Sequence, residues 1–173
     1  MTVADRTLIL LRHSKAEHGG GTPDMERPLS PRGQRDAEAV GQWFADQDLV
    51  ADLVVCSPSV RTRQTWETAA EAGAEAGDVW YDRRVYDASS DELLDVVREV
   101  PEDAAVVVLV GHAPGIPALV GDLAVSGGGS ERAWARLDDG LPTSGIAVLS
   151  FTGSWAELGP EDAVLEDVLA PRG

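Results

Sequence analysis

Short apolar runs rich in β-branched residues alternate with segments of helical periodicity along this chain. The apolar runs lie at residues 7–11, 53–55, 104–110 and 146–151. Runs of this length bounded by polar segments indicate strands that are buried on both faces. The alternation predicts an α/β fold, a three-layer sandwich in which a mainly parallel sheet carries helices on both faces and an antiparallel edge strand.

Three segments between these runs show the apolar spacing of amphipathic helices. Their apolar positions are Ala37, Val40, Gly41 and Phe44, then Leu93, Leu94, Val97 and Val100, then Ile116, Leu119, Val120 and Leu123. Helix starts are indicated as well. Ser30 and Ser57 each precede a proline, which predicts an N-cap with proline in the first helical position. Ser89 and Glu92 have the spacing of a capping box.

In other segments the apolar residues do not recur at a clear period. Residues 164–169 fit an edge strand or a short helix, and we favour the strand. The glycine-containing segments 19–28 and 126–130 are interpreted as surface loops, because ordered elements resume on both sides. The chain has the usual length of one domain, so residues 1–173 are predicted to form a single domain.

Charge and composition restrict the partners and the compartment. Thirty acidic residues stand against fourteen basic ones, a formal net charge of -16 that repels nucleic acid and anionic membranes. No apolar run approaches the roughly 20 residues needed to span a bilayer. A single cysteine, Cys56, cannot form an internal disulfide, and no signal-peptide pattern is present. We therefore expect a cytoplasmic protein that binds neither nucleic acid nor membranes.

Four cationic or titratable side chains follow the predicted strands. Arg12 and His13 come directly after the first apolar run, Arg61 lies about one turn into the helix after the second, and His112 follows the third. Each such residue taken singly is more often structural. Ligands of open α/β sheets bind beyond the carboxyl ends of the strands, however, and cations gathered there would repel one another without an anion between them. Because guanidinium groups match phosphate oxygens, the pattern predicts a phosphate site.

Several motifs occur in register along the chain. They are LRHSKAE from Leu11, RPLSPRG from Arg27, SPSVRTRQT from Ser57, VGHAPG from Val110, and Pro142-Thr143-Ser144. Together they resemble the histidine phosphatase superfamily, also called phosphoglycerate mutase-like, and within it the short, single-domain phosphohistidine phosphatases of the SixA type. The resemblance extends from residue 7 to about residue 151, most of the chain.

The resemblance implies a metal-independent phosphatase without cofactors. By that resemblance His13 becomes phosphorylated, Arg12 and Arg61 bind the phosphoryl oxygens, and His112 completes the pocket. The implied partner is a phosphorylated substrate, either a phosphohistidine protein or a small phosphate ester. A nucleophilic histidine must be neutral, and we expect nearby guanidinium groups and burial to lower the pKa of His13. A protonated His112 is expected to stabilise the transferred group.

The sequence departs from the family pattern in two places. The usual Arg-His-Gly is Arg-His-Ser here, which makes Ser14 a candidate substrate contact, as is Thr143 in the late segment. The general acid of ester-cleaving members has no clear counterpart. Asp87 lies in the right region, but we favour its interpretation as a solvated residue ahead of the capping box.

The spacing of residues and their charges argue against several alternative functions. Cys56 and Arg61 are one residue too close for a cysteine-dependent phosphatase, so we expect Cys56 to be a buried strand-end residue. A zinc hydrolase would need paired ligands that the sequence lacks, and the arginines would repel the ion. A mutase would need more basic residues and longer insertions. Two alternatives stay open: a non-catalytic phosphoprotein-binding module, and a small-metabolite phosphomonoesterase with Asp87 as general acid.

Overall fold

A computed structural model describes residues 5–173, and within that range six strands form one sheet. The strands are β1 (Asp5–Arg12), β2 (Val50–Cys56), β3 (Glu75–Tyr81), β4 (Val106–Gly111), β5 (Ile146–Thr152) and β6 (Val164–Leu169). Their order in the sheet is β3-β2-β4-β1-β5-β6. Strands β1 to β4 are parallel, whereas β5 pairs antiparallel with β1 and β6 pairs antiparallel with β5. The predicted mixed, mainly parallel sheet is confirmed.

Helices cover both faces of the sheet. They are α1 (Pro31–Asp46), α2 (Val60–Glu71), α3 (Ser90–Arg98), α4 (Gly115–Leu123) and α5 (Glu131–Asp138). Helices α1 and α2 bury Phe44 and Trp66 in one core. Helices α3 and α4 bury Leu93 and Ile116 in the core on the opposite face. The three-layer arrangement is therefore confirmed, and no helix of residues 5–173 is long and apolar enough to cross a membrane.

The central strands are apolar on both sides because each faces two cores. Successive side chains of a strand point to opposite faces. In β1, Leu8 and Leu10 belong to the core under α3 and α4, whereas Ile9 and Leu11 belong to the core under α1 and α2. All four side chains are at most 1% exposed, so the uninterrupted apolar run follows directly from the sandwich.

Two of the predicted helix starts are confirmed. Ser30 caps α1 by accepting a hydrogen bond from the backbone N–H of Gly33, with proline in the first turn. Ser89 and Glu92 form the reciprocal bonds of a capping box at α3. Each cap satisfies a backbone donor that the first helical turn leaves unpaired.

The predicted start of α2 is wrong by two residues. The helix begins at Val60, and its N-cap is Ser59, which accepts from the backbone N–H of Thr62. Ser57 is unavailable for this role because its hydroxyl is hydrogen-bonded to His112. A residue that the sequence marks as a helix cap thus belongs to the pocket described below.

Two elements escape the sequence pattern. Strand β3 lies at the edge of the sheet, and most of its side chains are exposed, so it carries no apolar run. Helix α5 follows the 126–130 loop and is capped by Ser130. It contributes only Ala133 as a fully buried side chain, which leaves little periodic signal. The favoured strand at residues 164–169 is confirmed as β6.

Candidate active site

The carboxyl ends of β1, β2 and β4 meet at one rim of the sheet. In the parallel register, Arg12 lies opposite Gly111 and Cys56 lies opposite Val110. The ladder extends one residue past β1, because the backbone N–H of His13 donates to Gly111 O at 3.0 Å. The rings of His13 and His112 are consequently neighbours, with centroids 5.3 Å apart.

One hydrogen bond fixes the tautomer of His13. Its Nδ1 lies 2.7 Å from the carbonyl oxygen of Ser14. A carbonyl can only accept, so Nδ1 carries the proton and Nε2 holds the lone pair. Burial, followed by the charges of Arg61 and Arg12, lowers the pKa of His13 to about 4, against the opposing effect of the Ser14 hydrogen bond. The imidazole is therefore neutral near pH 7 and has the electron pair a nucleophile needs.

His112 has the opposite tautomer. Arg61 Nη2 lies 3.3 Å from His112 Nδ1, and a guanidinium only donates, so Nδ1 is the acceptor. The ring proton is then on Nε2, which donates to Ser57 Oγ at 2.8 Å. Burial, with the nearby His13 and Arg61, lowers the pKa of His112 to about 3. Burial and both neighbours favour the neutral ring here, whereas the expected protonation of His112 during phosphoryl transfer stays a prediction.

Each arginine of the pocket has a buried donor without a protein partner. Arg12 Nη1 donates to Leu141 O at 2.9 Å, and Arg61 Nη1 donates to the backbone oxygen of Asp24 at 2.7 Å. Within residues 5–173, the buried Nε atoms of both arginines lack a hydrogen-bond partner. Burial also lowers the pKa of Arg12. Unpaired buried donors are costly, so these two N–H groups suit an anion with several oxygens.

Helices α1 and α2 hold the His13 segment in place. The hydroxyl of Thr65 on α2 accepts from the Ser14 backbone N–H at 2.9 Å and donates to Arg61 O at 2.7 Å. On α1, a Cβ added to Gly33 would lie 1.9 Å from the carbonyl oxygen of Lys15. Glycine is required at this position because the helix approaches the backbone of the segment so closely. The His13 segment and Arg61 are thus joined through one threonine.

Asp24 is a pocket residue that the sequence gave no reason to choose. It lies in the 19–28 segment, where a short 3₁₀ turn, Asp24–Glu26, brings it to the rim. Its carboxylate accepts from Arg61 Nη2 at 3.0 Å, from Arg27 Nε at 3.1 Å, and from the hydroxyl of Tyr86. The Tyr86 hydrogen bond and then Arg61 hold the pKa of Asp24 at about 2. A lone aspartate in a glycine-rich loop resembles any solvated acid, so only the fold reveals these contacts.

The other residues predicted for the site, Ser14, Thr143 and Asp87, differ in their exposure and in their contacts. Ser14 is fully buried, and its hydroxyl is 2.5 Å from that of Ser144, facing away from solvent. Thr143 is partly exposed, and its carbonyl oxygen accepts from Arg172 at 3.0 Å. Asp87 is exposed, as the favoured interpretation holds, yet it also lines a cavity of about 110 Å³ beside His112.

Cys56 is the last residue of β2 and is fully buried, as expected. Its thiol donates to Ser57 O at 3.2 Å, and burial raises the pKa of Cys56 to about 12. The thiolate needed for cysteine nucleophilic chemistry is therefore strongly disfavoured. Within residues 5–173, no three histidine, cysteine or carboxylate side chains are grouped closely enough to hold a metal ion.

The chain is similar in sequence and in fold to known proteins. The model of the histidine phosphatase superfamily (branch 1) matches residues 8–86. A protein of Mycobacterium tuberculosis with no assigned function is 35% identical over 94% of this chain and 100% of its own length. A proposed phosphohistidine phosphatase SixA from Nakamurella multipartitia has 37% identity and a TM-score of 0.81, covering 97% of each chain. Its counterpart from Agrobacterium tumefaciens has 32% identity and a TM-score of 0.76, covering 96% of this chain and 99% of that one.

Proposed function

This chain belongs to the histidine phosphatase superfamily and resembles its SixA-type branch, and from that premise we propose that it is a metal-independent phosphatase that works through a phosphohistidine on His13. The substrate we propose is a phosphohistidine protein or a small phosphate ester. Four residues carry the reaction in this proposal: His13, Arg12, Arg61 and His112.

The observation that carries the proposal is the tautomer of His13. The Nδ1–H donates a hydrogen bond to the Ser14 carbonyl, so the Nε2 lone pair is the only one the ring can offer. The lowered pKa keeps that lone pair unprotonated at neutral pH. The ring is thus prepared for attack before any substrate binds, which reduces the reorganisation needed in the transition state.

In the first step, His13 Nε2 attacks phosphorus. An N–P bond forms while the bond from phosphorus to the leaving oxygen or nitrogen breaks, and the leaving group departs with that electron pair. The negative charge spread over the phosphoryl oxygens is met by the free Nε–H groups of Arg12 and Arg61, and by the Nε2–H of His112 once it turns from the Ser57 hydroxyl to the phosphoryl group.

In the second step, water attacks the phosphorus of phosphorylated His13. The new P–O bond replaces the N–P bond, inorganic phosphate forms, and His13 recovers its lone pair. Both steps use the same donors, because the same phosphoryl oxygens bear the charge. The cycle therefore closes without a cofactor.

The leaving group decides whether an acid is needed. Imidazole and phenolate leave far more readily than an alkoxide, for which a general acid contributes typically 10²–10⁴-fold in rate. Asp87 lines the cavity next to His112 and is the candidate acid for alkyl esters. If Asp87 serves only as a solvated residue, phosphohistidine and aryl phosphates should react well, alkyl phosphates should react slowly, and Asp87→Asn should change little.

The proposal is tested by trapping the phosphoenzyme. Brief incubation with ³²P-labelled phosphohistidine or aryl phosphate should label the protein, and the label should survive alkali and decay in acid, as a phosphoramidate does. His13→Ala should lose both label and turnover, since the substitution removes the Nε2 lone pair that would take the phosphoryl group. Chelators should leave the activity intact.

His18→Ala is the matched control. His18 is exposed and outside the pocket, so this variant should retain label and turnover. Label that persists in His13→Ala would overturn the mechanism. Binding of inorganic phosphate without turnover of any substrate would instead favour the phosphoprotein-binding module.

A further inference from the structure

A small cavity adjoins two of the proposed phosphoryl-binding residues, Arg61 and His112. It has a volume of about 110 Å³ and is bounded by residues 85–88 after β3 and residues 112–115 after β4. Arg61 and His112 line both this cavity and the proposed phosphoryl site. A substrate whose phosphoryl group lies on those two residues would extend its leaving group into the cavity, which we call the leaving-group compartment.

The charges of the leaving-group compartment are unbalanced. Its charged lining residues are one cation, Arg61, and two acids, Asp24 and Asp87. Arg61 is also assigned to the phosphoryl group, so it has no charge to spare for a second anion. The leaving group would then face two carboxylates with no free cation in the lining.

Asp24 is the more firmly held of the two acids. Both outer nitrogens of Arg61 donate to it, one to its backbone oxygen and one to its carboxylate. Arg27 and the Tyr86 hydroxyl donate to the same carboxylate. The side chains of Asp24 and Asp87 are both exposed, but within residues 5–173 only the Asp24 carboxylate accepts such hydrogen bonds. The charge of Asp24 is thus fixed in place in the lining of the leaving-group compartment.

We infer, building on the proposed function, that Asp24 is a specificity-determining residue that selects uncharged or cationic leaving groups. A phosphorylated histidine in a basic peptide, or a phenol, fits this requirement. An ester whose leaving group carries a carboxylate or a second phosphate is disfavoured. Like charges separated by one contact layer in a partly solvated pocket repel strongly enough to change rates by roughly tenfold.

Three aryl phosphates that differ only in the para substituent test the inference: phenyl, 4-carboxyphenyl and 4-(aminomethyl)phenyl phosphate. The wild type should show a higher kcat/KM for the aminomethyl compound than for the carboxy compound. Asp24→Asn should reduce that ratio by roughly tenfold. Intrinsic leaving-group reactivity cancels when the ratio is compared between the two proteins, and so does any general loss of activity.

Two further variants locate the effect. Asp103→Asn removes an exposed acid from the turn before β4, at the opposite end of the parallel strands, and should keep the wild-type ratio. Asp87→Asn should change the ratio less than Asp24→Asn does. An unchanged ratio in Asp24→Asn, or a larger change in Asp87→Asn, would overturn the assignment to Asp24.

Binding of non-hydrolysable analogues separates this inference from the proposed function. The three corresponding arylphosphonates are titrated by calorimetry into the wild type and into Asp24→Asn. Wild-type protein should bind the aminomethyl compound more tightly than the carboxy compound, and the difference should shrink with added NaCl. Equal affinities in the wild type would overturn the inference whether or not any ester is hydrolysed, whereas charge-selective binding without turnover would remove only the proposed phosphatase.

Discussion

At the scale of single residues, the two pocket histidines are held neutral by the same surroundings but in opposite tautomers. The Nδ1–H of His13 donates a hydrogen bond to a backbone carbonyl, and the Nε2–H of His112 donates one to the Ser57 hydroxyl. One ring is left with a nucleophilic Nε2 and the other with a donating Nε2. Two identical side chains therefore take complementary parts because each has a different hydrogen-bond partner.

This arrangement makes folding stability depend on pH. The pKa values of about 4 for His13 and about 3 for His112 lie below the usual 6.5 of the unfolded chain. Because the unfolded chain binds protons that the folded protein does not, stability is complete above pH 6.5 and falls as the pH drops toward 4. His13 alone should account for a loss of about 3 kcal/mol over this range.

Urea unfolding of the wild type and of His13→Asn between pH 7 and pH 4.5 measures how much stability depends on the protonation of His13. The variant should lose less stability than the wild type as the pH falls. The pH range stays above the usual pKa of aspartate. At lower pH the lowered pKa of Asp24 would also make stability depend on pH. Parallel curves for the two proteins would show that His13 titrates normally in the folded state.

At the scale of elements, the junction of β2 and α2 divides two tasks between two serines. Ser59 caps the helix, and the Ser57 hydroxyl accepts a hydrogen bond from the Nε2–H of His112. The Ser57 backbone N–H still donates to Val110 O of β4 at 3.0 Å. Residue 57 therefore continues the pairing of β2, and the helix can begin only after it. The helix start therefore moves two residues along, and Arg61 becomes its second residue.

Alanine substitutions at the two serines should separate these tasks. Ser59→Ala should lower the free energy of unfolding by about 1 kcal/mol, the usual cost of a lost N-cap, with little effect on turnover. Ser57→Ala should lower kcat and shift the ¹⁵N resonances of the His112 ring, because its tautomer loses an acceptor. If Ser57→Ala cost the stability of a lost cap and left the His112 resonances unmoved, the division of tasks would be wrong.

At the scale of the whole molecule, a strongly acidic protein surrounds a cationic pocket. The formal net charge is -16, while Arg12 and Arg61 are gathered at one rim with the two histidines. Excess like charge destabilises the compact state, because folding brings the charges together. The nine exposed or partly exposed ion pairs among residues 5–173 contribute little each and leave the excess uncompensated.

Stability should therefore rise with NaCl. Thermal or urea unfolding between about 10 mM and about 200 mM salt spans the range over which surface repulsion is screened. Chloride is used because phosphate and sulfate are ligands of the pocket under the proposed function. Glu38→Lys, at an exposed position of α1, reduces the net negative charge and should flatten the salt dependence. Stability that fell with NaCl would show that the ion pairs outweigh the net repulsion.

The sequence by itself determined five of the six strands of the sheet, the helices α1 to α4 that pack on it, and the rim where Arg12, His13, Arg61 and His112 would gather. These follow from local patterns, since a strand between two cores must be apolar throughout and a helix must bury one stripe. Strand β3 and helix α5 left no such pattern, because most of their side chains are exposed. Their existence depends on neighbours that are distant in sequence.

Only the tertiary structure decided the tautomers, the lowered pKa of His112, the cap of α2 and the position of Asp24. Each depends on a contact between segments that the fold brings together, such as Asp24 with Arg61 and Tyr86, or Ser57 with His112. Hydrogen-bond direction and burial set the protonation of a side chain, and neither can be read from residue spacing. The sequence could therefore indicate which residues meet, while their charge states required the three-dimensional arrangement.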